Sequence, residues 1–300
     1  MEDVANMNII VREEYDGMIL RTYLSSVLGI SRNQLVILKK KERGIIQNGK
    51  RVTVRSVVHT GDSIQLDMDE EPSENVLPVN IPIDVIYEDN DILVVNKPPY
   101  MPTHPSHDHY EDTLANAVAY HYKANGISAK FRPITRLDRN TSGIVLIAKT
   151  ALSASKLSSQ MQKGQITKEY IAVCEGETPT SFSVNKPIKR EDESVITRTV
   201  CGYGEGQAAS TDFERINTNG EASVLRVRPI TGRTHQIRVH LASEGFSIIG
   251  DDLYGRPSSL IQRHALHAES LAFEHPSGQQ MKITAPLPED MQSVIDLLFN

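Results

Sequence analysis

The sequence predicts an α+β protein, in which hairpin-connected strands are interspersed with helices. Two turn signals, Asn219-Gly220 and Ser277-Gly278, each separate strand-like segments that would pair as hairpins. Helix-like stretches occur at 113–124 and 151–164, around the buried-looking strand at 143–150. The chain contains no internal repeat and no low-complexity tract, so we expect globular domains and not a solenoid.

Length and composition set the limits of the prediction. With 300 residues and 39% hydrophobic content, the chain can form two domains or one large domain with a substantial core. Its apolar runs are too short to cross a bilayer, and the first residues lack the pattern of a signal peptide, so we expect a cytoplasmic protein. The only cysteines, Cys174 and Cys201, indicate neither a disulfide framework nor a cysteine-based zinc site.

Charge is distributed unevenly along the chain. The whole chain has a formal net charge of -6, whereas the segment between Ser31 and Val58 contains eight Lys or Arg residues and one acid, Glu42. A basic module attached to an acidic body is typical of RNA-binding proteins. The same charges could also belong to a solvated helix face followed by a charged hairpin, and charge alone favours neither interpretation.

The basic segment is predicted to fold as two helices followed by a hairpin. Apolar residues at helical spacing predict the first helix: Leu20, Leu24, Val27 and Leu28. Ser31 is the predicted cap of a second helix, whose apolar residues are Leu35, Val36 and Leu38. Asn48-Gly49 is a strong two-residue hairpin signal. From Tyr15 to Asp67 this organisation resembles the RNA-binding domain named after small-subunit ribosomal protein S-four.

An acidic stretch with several prolines follows at about 69–80 and lacks apolar periodicity, as expected of a linker. The predicted organisation is therefore an S-four-like domain at 1–70, a linker at 71–80 and a second domain at 81–300.

A histidine-rich loop could bind a metal. Its candidate ligands are His104, His107, Asp108 and His109. The loop lacks a helical HExxH arrangement, so a solvated loop is the favoured interpretation. Neither GxGxxG nor GxxxxGK[ST] occurs, and the sequence therefore offers no glycine-rich phosphate loop.

The segment 229–245 is predicted to contain a helix that is capped at Thr234 and stopped by Gly245. Ile237, Val239 and Leu241 are expected to pack inward. His235, Arg238 and Ala242 are expected to share one side of this helix.

Five motifs in this order resemble the RluA/RluD family of RNA pseudouridine synthases over essentially the whole chain. They are TRLDRNTSGIVLIAK (135–149), KEYIA (168–172), TGRTHQIRVHLA (231–242), GDDLYG (250–255) and HALHAESLAFEHPSG (264–278). The resemblance implies a catalytic fold on a mixed, mainly antiparallel sheet. The sequence departs from the family pattern at Thr135, at Asn140 and in the loop PPYMPTHP after Asn96-Lys97.

The resemblance also implies roles for individual residues. Asp138 would be the catalytic carboxylate, and Arg238 would be the ion-pair partner that keeps it charged. Tyr170 would stack on the target uracil and assist proton removal from carbon five, while Arg136 would enter the RNA when the uridine flips out. Further RNA contacts are expected from Arg139, Lys168, Arg32, Lys39, Lys40, Lys41, Lys50 and Arg51.

The predicted function is thus isomerisation of uridine in structured RNA, with ribosomal RNA of the large subunit favoured and transfer RNA as the alternative. We expect a monomer that needs no metal and no organic cofactor. A non-catalytic RNA-binding or ribosome-assembly factor on the same scaffold is the second hypothesis. A metal-dependent RNA nuclease, using the histidine loop and the carboxylates of GDDLYG, is the third.

Overall fold

The computed structural model describes residues 6–30, 32–68, 76–192 and 196–299. The predicted helix cap Ser31 and residues 71–75 of the predicted linker lie outside the described residues. None of the helices in the described part of the chain is long and apolar enough to cross a membrane.

A four-stranded antiparallel sheet forms the N-terminal part of the chain, in the order β1-β4-β2-β3. Its strands are β1 (Asn6–Ile10), β2 (Ile45–Gln47), β3 (Lys50–Arg51) and β4 (Ser63–Asp67). Its helices are α1 (Leu20–Thr22), which continues as a π-helical turn (Tyr23–Val27), and α2 (Arg32–Lys40), after a 3-10 turn at Glu13–Tyr15. Strand β1 was missed by the sequence interpretation.

The apolar pattern of the first 68 residues produces one small core. Leu20, Leu24, Leu35 and Leu38 are buried in it, as predicted, but Val36 is 45% exposed. The hairpin signal is confirmed, since Asn48 and Gly49 both have positive φ, as a type I′ turn requires.

The rest of the chain builds a ten-stranded sheet in the order β10-β13-β14-β9-β15-β8-β6-β5, with β16 beside β15 and β7 beside β8. The strands are β5 (Asp84–Glu88), β6 (Ile92–Lys97), β7 (Arg132–Pro133), β8 (Ser142–Ala148), β9 (Thr167–Glu175), β10 (Ser181–Val184), β13 (Thr211–Thr218), β14 (Ala222–Pro229), β15 (Leu266–Glu274) and β16 (Gln280–Thr284). A separate hairpin consists of β11 (Ile188–Arg190) and β12 (Arg198–Val200). Among the described strands of this sheet, only β8 and β15 pair in parallel, so the sheet is mixed and mainly antiparallel, as predicted.

Helices cover this sheet on both faces. They are α3 (Leu114–Ala124), α4 (Ala151–Gln162), α5 (Gln236–Ser243) and α6 (Glu289–Phe299). Because side chains alternate along a strand, β8 sends Val145 and Ile147 into the core under α3, and Ile144 and Leu146 into the core under α4. All seven residues of β8 are buried, which fixes the loop that precedes this strand.

Helix α5 differs from its prediction at its first turn. Thr234 is not the cap, because the helix begins at Gln236 after His235, which has a left-handed φ of 57°. The Thr234 hydroxyl instead accepts a hydrogen bond of 3.1 Å from Arg136. Gly245 follows the helix with a positive φ, consistent with the predicted stop. Ile237, Val239 and Leu241 are buried, as predicted, along with Arg238 and other polar members of the helix.

The N-terminal part contacts the second part through α4. Leu152 packs against the small N-terminal core, and the Ser155 hydroxyl donates a hydrogen bond to the Gly29 carbonyl. Helix α4 therefore joins the two cores, because its Leu157 belongs to the core of the large sheet.

Candidate active site

Asp138 lies on the loop between β7 and β8, where a backbone hydrogen bond from Thr141 N to Asp138 O closes a tight turn. Its side chain is 24% exposed, so the carboxylate is enclosed but reachable. Two side chains from the start of α5 approach its Oδ2 atom: Arg238 Nη1 at 3.5 Å and His235 Nε2 at 3.9 Å. The fold thus brings together the two motifs in which the sequence placed catalytic residues.

Arg238 has a closer partner than the one predicted. Its Nε and Nη2 atoms each lie 2.7 Å from an oxygen of Asp251, which is fully buried. The contact with Asp138 is long for a charge-assisted hydrogen bond, which is usually shorter than 3 Å. Arg238 is therefore oriented by Asp251 and presents only its remaining Nη1 to Asp138.

The Arg238–Asp251 pair holds both charges in a buried site. Burial acts to lower the pKa of Arg238, but the hydrogen bonds and charge of Asp251 raise it above its ordinary value. Burial likewise acts to raise the pKa of Asp251, and the Arg238 guanidinium overrides this and lowers it. Both groups are ionised at neutral pH, so Asp138 faces a permanent positive charge.

His235 and Tyr254 complete the wall around the guanidinium. The Tyr254 ring lies over Arg238, with 5.1 Å from the ring centroid to the guanidinium carbon, a cation–π arrangement. The Tyr254 hydroxyl and His235 Nδ1 are 2.7 Å apart and share a hydrogen bond. Burial lowers the pKa of His235, although the Asp138 charge acts to raise it. His235 is consequently neutral at pH 7.

Tyr170 lies on β9 between Val227 of β14 and Ala268 of β15, and it packs against the apolar cluster to which Leu137, on the loop of Asp138, belongs. Burial, with a further contribution from Asp138, raises the pKa of the Tyr170 hydroxyl well above its ordinary value. The hydroxyl is therefore protonated at neutral pH and can donate a hydrogen bond. A phenolate base, one form of the assistance expected from the sequence, does not fit this environment.

Lys97, at the end of β6, supports the loop from beneath and was missed by sequence reasoning. Its side chain is fully buried and donates to three carbonyls: Pro98 and Met101 at 2.8 Å and Arg139 at 3.2 Å. Burial lowers the pKa of Lys97 to about 7, while the nearby Asp138 charge acts to raise it. The signal in the sequence was a lysine at the end of the apolar run ILVVNK.

Arg263 supports the same loop from its other end. It is 1% exposed, pairs with Asp290 of α6, and donates to Asn140 O at 3.1 Å and Ser142 Oγ at 3.3 Å. The backbone around Asp138 is thus held by two buried basic side chains that reach it from different elements.

The cationic residues predicted to contact RNA differ in position. Arg136 and Arg139 are exposed on either side of Asp138, whereas Lys168 is partly buried and points to the Thr231 carbonyl at 3.5 Å. Arg32, Lys39, Lys40, Lys50 and Arg51 are all exposed in the N-terminal part. Lys41 instead forms a 2.8 Å ion pair with Asp67.

The histidine loop does not form a cluster. His107 pairs with Asp108, His109 pairs with Asp112, and the His104 ring contacts Phe131 edge-on. Within the described ranges, no group of three or more His, Cys, Asp or Glu side chains is arranged to hold a metal ion. Cys174 is buried and Cys201 is partly buried, and each lies free of a disulfide.

Comparison with known proteins identifies the class. The family model described as RNA pseudouridylate synthase matches residues 91–243, which include Asp138, Tyr170 and Arg238. Two solved structures share the fold at 22% identity: human RNA pseudouridylate synthase domain containing 1, with a TM-score of 0.57, and domain containing 4, with a TM-score of 0.60. Each covers 72% of this chain, and this chain covers 94% and 92% of them, respectively.

Curated relatives extend the match to nearly the whole chain. The uncharacterized RNA pseudouridine synthases YjbO and YhcT of Bacillus subtilis are 41% and 37% identical and cover 89% and 98% of this chain, which spans 95% and 98% of them. Ribosomal large subunit pseudouridine synthase D of Zymomonas mobilis is 34% identical, with 97% of this chain and 96% of the relative covered. The chain belongs to the RNA pseudouridine synthase family, and it is an isomerase that acts on RNA.

Proposed function

We propose that this enzyme converts specific uridines of large-subunit ribosomal RNA to pseudouridine, with Asp138 as the catalytic carboxylate. The observation that carries the proposal is the partly exposed Asp138 beside the buried Arg238–Asp251 pair, with Tyr170 on β9 close enough for the Asp138 charge to contribute to its raised pKa. The relative named ribosomal large subunit pseudouridine synthase D supports the choice of RNA.

The reaction breaks the bond between ribose C1′ and uracil N1, rotates the uracil, and joins C1′ to C5. The C5 proton is lost and N1 gains a proton, so the atoms balance without a redox partner. The ionised Asp138 serves as the nucleophile or as the base that starts this sequence. Arg238 places its guanidinium 3.5 Å from the Asp138 carboxylate.

The target uridine must leave the RNA stack to reach this carboxylate. Arg136 is exposed beside Asp138 and is held at Thr234 on the opposite wall, so it is placed to fill the space that the uridine leaves. Tyr170 provides an aromatic face for the flipped uracil, and its protonated hydroxyl provides a hydrogen-bond donor.

The N-terminal part is proposed to be a separate RNA-binding domain of the S-four type at 1–70, joined by a linker at 71–80 to a catalytic domain at 81–300. Two of its exposed basic residues lie close together, because Arg51 on β3 donates to the Lys39 carbonyl at the end of α2. Such residues bind phosphates with little dependence on sequence and strengthen binding to structured RNA.

Pseudouridine mapping of ribosomal RNA, in cells with and without the gene, tests this proposal. The expected result is the loss of one or a few pseudouridines from large-subunit RNA, and their return when an unmodified transcript is treated with the purified enzyme after chelation and desalting. Losses confined to transfer RNA would overturn the choice of substrate. Tritium release from 5-tritiated uridine separates an enzyme from a non-catalytic RNA-binding factor, which would bind the transcript without releasing tritium.

A further inference from the structure

Tyr100 is an exposed aromatic residue in a backbone conformation that a tyrosine rarely adopts. Its φ is 65°, in the left-handed region, and its side chain is 47% exposed. Pro99 precedes it in the turn after β6, so Tyr100 occupies the second central position of a turn of the type II kind, where glycine or asparagine is favoured. A non-glycine residue in this region is strained, and such strain occurs preferentially at functional sites.

The turn that carries Tyr100 is bonded to the backbone beside Asp138. Lys97 Nζ binds the carbonyls of Pro98 and Met101, on either side of Tyr100, and the same nitrogen binds the Arg139 carbonyl. Farther along, the Thr103 hydroxyl donates to Leu137 O at 2.9 Å and accepts from Leu137 N at 3.3 Å. Residues 97–103 and 137–139 therefore form one bonded unit, and Tyr100 lies at its exposed rim.

The Tyr100 ring has no specific partner among the described residues. The three residues that follow it, Met101 to Thr103, are buried, whereas Tyr100 itself is exposed. Its hydroxyl has no hydrogen-bond partner among the described residues, and its ring makes no aromatic contact with them. Neither a side-chain hydrogen bond nor an aromatic contact with the described residues thus offsets the strain.

We propose that Tyr100 stacks on an unpaired nucleobase of the RNA that adjoins the target uridine, and so helps to determine which uridines are modified. RNA loops expose unstacked bases that aromatic side chains bind through their faces. Arg139, whose carbonyl is bonded to the same Lys97 side chain as the turn of Tyr100, is exposed, as is Arg136 on the other side of Asp138. The inference rests on the proposed function, because it assumes that the RNA enters at Asp138.

Three variants of Tyr100 test the role with the full-length enzyme and an unmodified transcript of large-subunit ribosomal RNA. Tyr100→Phe retains the ring, whereas Tyr100→Gly and Tyr100→Asn remove it and suit a positive φ. We expect Tyr100→Phe to remain within about twofold of wild type in kcat/KM, and the other two to fall roughly tenfold, in line with the loss of one stacked base. The thermal midpoints of Tyr100→Gly and Tyr100→Asn should be equal to or higher than that of wild type, because these residues relieve the backbone strain of the positive φ.

A second measurement identifies the base. In a short stem-loop that wild type modifies, each nucleotide next to the target is replaced in turn by an abasic nucleotide. At one position the abasic substitution should lower the kcat/KM of wild type roughly tenfold. The same substitution should change the kcat/KM of Tyr100→Gly little, because that variant already lacks the contact. Equal kcat/KM for Tyr100→Phe, Tyr100→Gly and Tyr100→Asn would overturn the inference. Absence of turnover by wild type would instead overturn the proposed function.

Discussion

At the scale of single residues, the site depends on how one guanidinium is shared between two carboxylates. Arg238 makes two 2.7 Å contacts with Asp251 and one contact of 3.5 Å with Asp138. The family resemblance predicted that Arg238 would lie beside Asp138, and the structure places them together. It did not reveal that Asp251 is the closer partner, because a sequence does not show which carboxylate will be desolvated beside a buried arginine.

The two neighbouring acids of GDDLYG provide a matched test of this arrangement. Asp251→Asn should lower the free energy of unfolding by about 3 kcal/mol, because it leaves the buried Arg238 without its charged partner. Turnover should also fall at least tenfold, since Arg238 would no longer be oriented. Asp252 is 65% exposed and lies 3.9 Å from Arg238, so Asp252→Asn should change stability by less than about 0.5 kcal/mol. Denaturant unfolding and tritium release measure both effects, and equal effects of the two substitutions would contradict the assignment.

At the scale of secondary-structure elements, the sequence predicted the hairpins and helices with strong local signals. The turns at Asn48-Gly49 and Asn219-Gly220 and the helix at 114–124 formed as predicted, because turn residues and helix periodicity act locally. The predicted start of α5 was wrong because Thr234 makes a tertiary contact with Arg136, which is distant in the sequence. Strand β1 was missed because it is stabilised by pairing with β4, far along the chain.

The RNA contact predicted for the basic strand β3 can be tested by the salt dependence of RNA binding. Lys50 and Arg51 form the exposed strand β3, and changing both to Gln should make the slope of log RNA affinity against log salt shallower by roughly 1.5, since each phosphate contact releases counterions. Lys123 and Lys282 are also exposed but lie on α3 and β16, so their double change to Gln is the control and should leave the slope unchanged. Equal slopes for the two double variants would exclude an RNA contact at β3.

At the scale of the whole molecule, the buried histidines behind the site make stability depend on pH. His264 and His267 bond to Thr141 and Ser142, directly after the turn that carries Asp138, and burial is the main cause that lowers their pKa values to about 3 and about 4. The unfolded chain binds these protons near pH 6.5, and the folded chain does not until the pH is far lower. Their contribution to stability is therefore present above pH 6.5 and is lost as the pH falls towards 4.

This linkage predicts that the free energy of unfolding decreases between pH 7 and pH 5, by up to roughly 1.4 kcal/mol per pH unit for each histidine. His267→Asn removes one titrating group and keeps an acceptor for the Ser142 hydroxyl, so its stability should fall less steeply with pH. Urea unfolding at several pH values provides the comparison. The same steepness in wild type and variant would show that His267 does not carry the effect.

The central claim is that Asp138 performs the chemistry, and tritium release from 5-tritiated uridine in a ribosomal RNA transcript tests it most directly. Asp138→Asn keeps the shape of the side chain but removes the ionisable oxygen, so release should vanish while RNA binding and the circular dichroism spectrum stay close to those of wild type. Arg136→Ala is the matched comparison, and it should weaken productive engagement of the RNA while retaining measurable turnover. A folded Asp138→Asn variant that released tritium at a rate comparable to wild type would contradict the account.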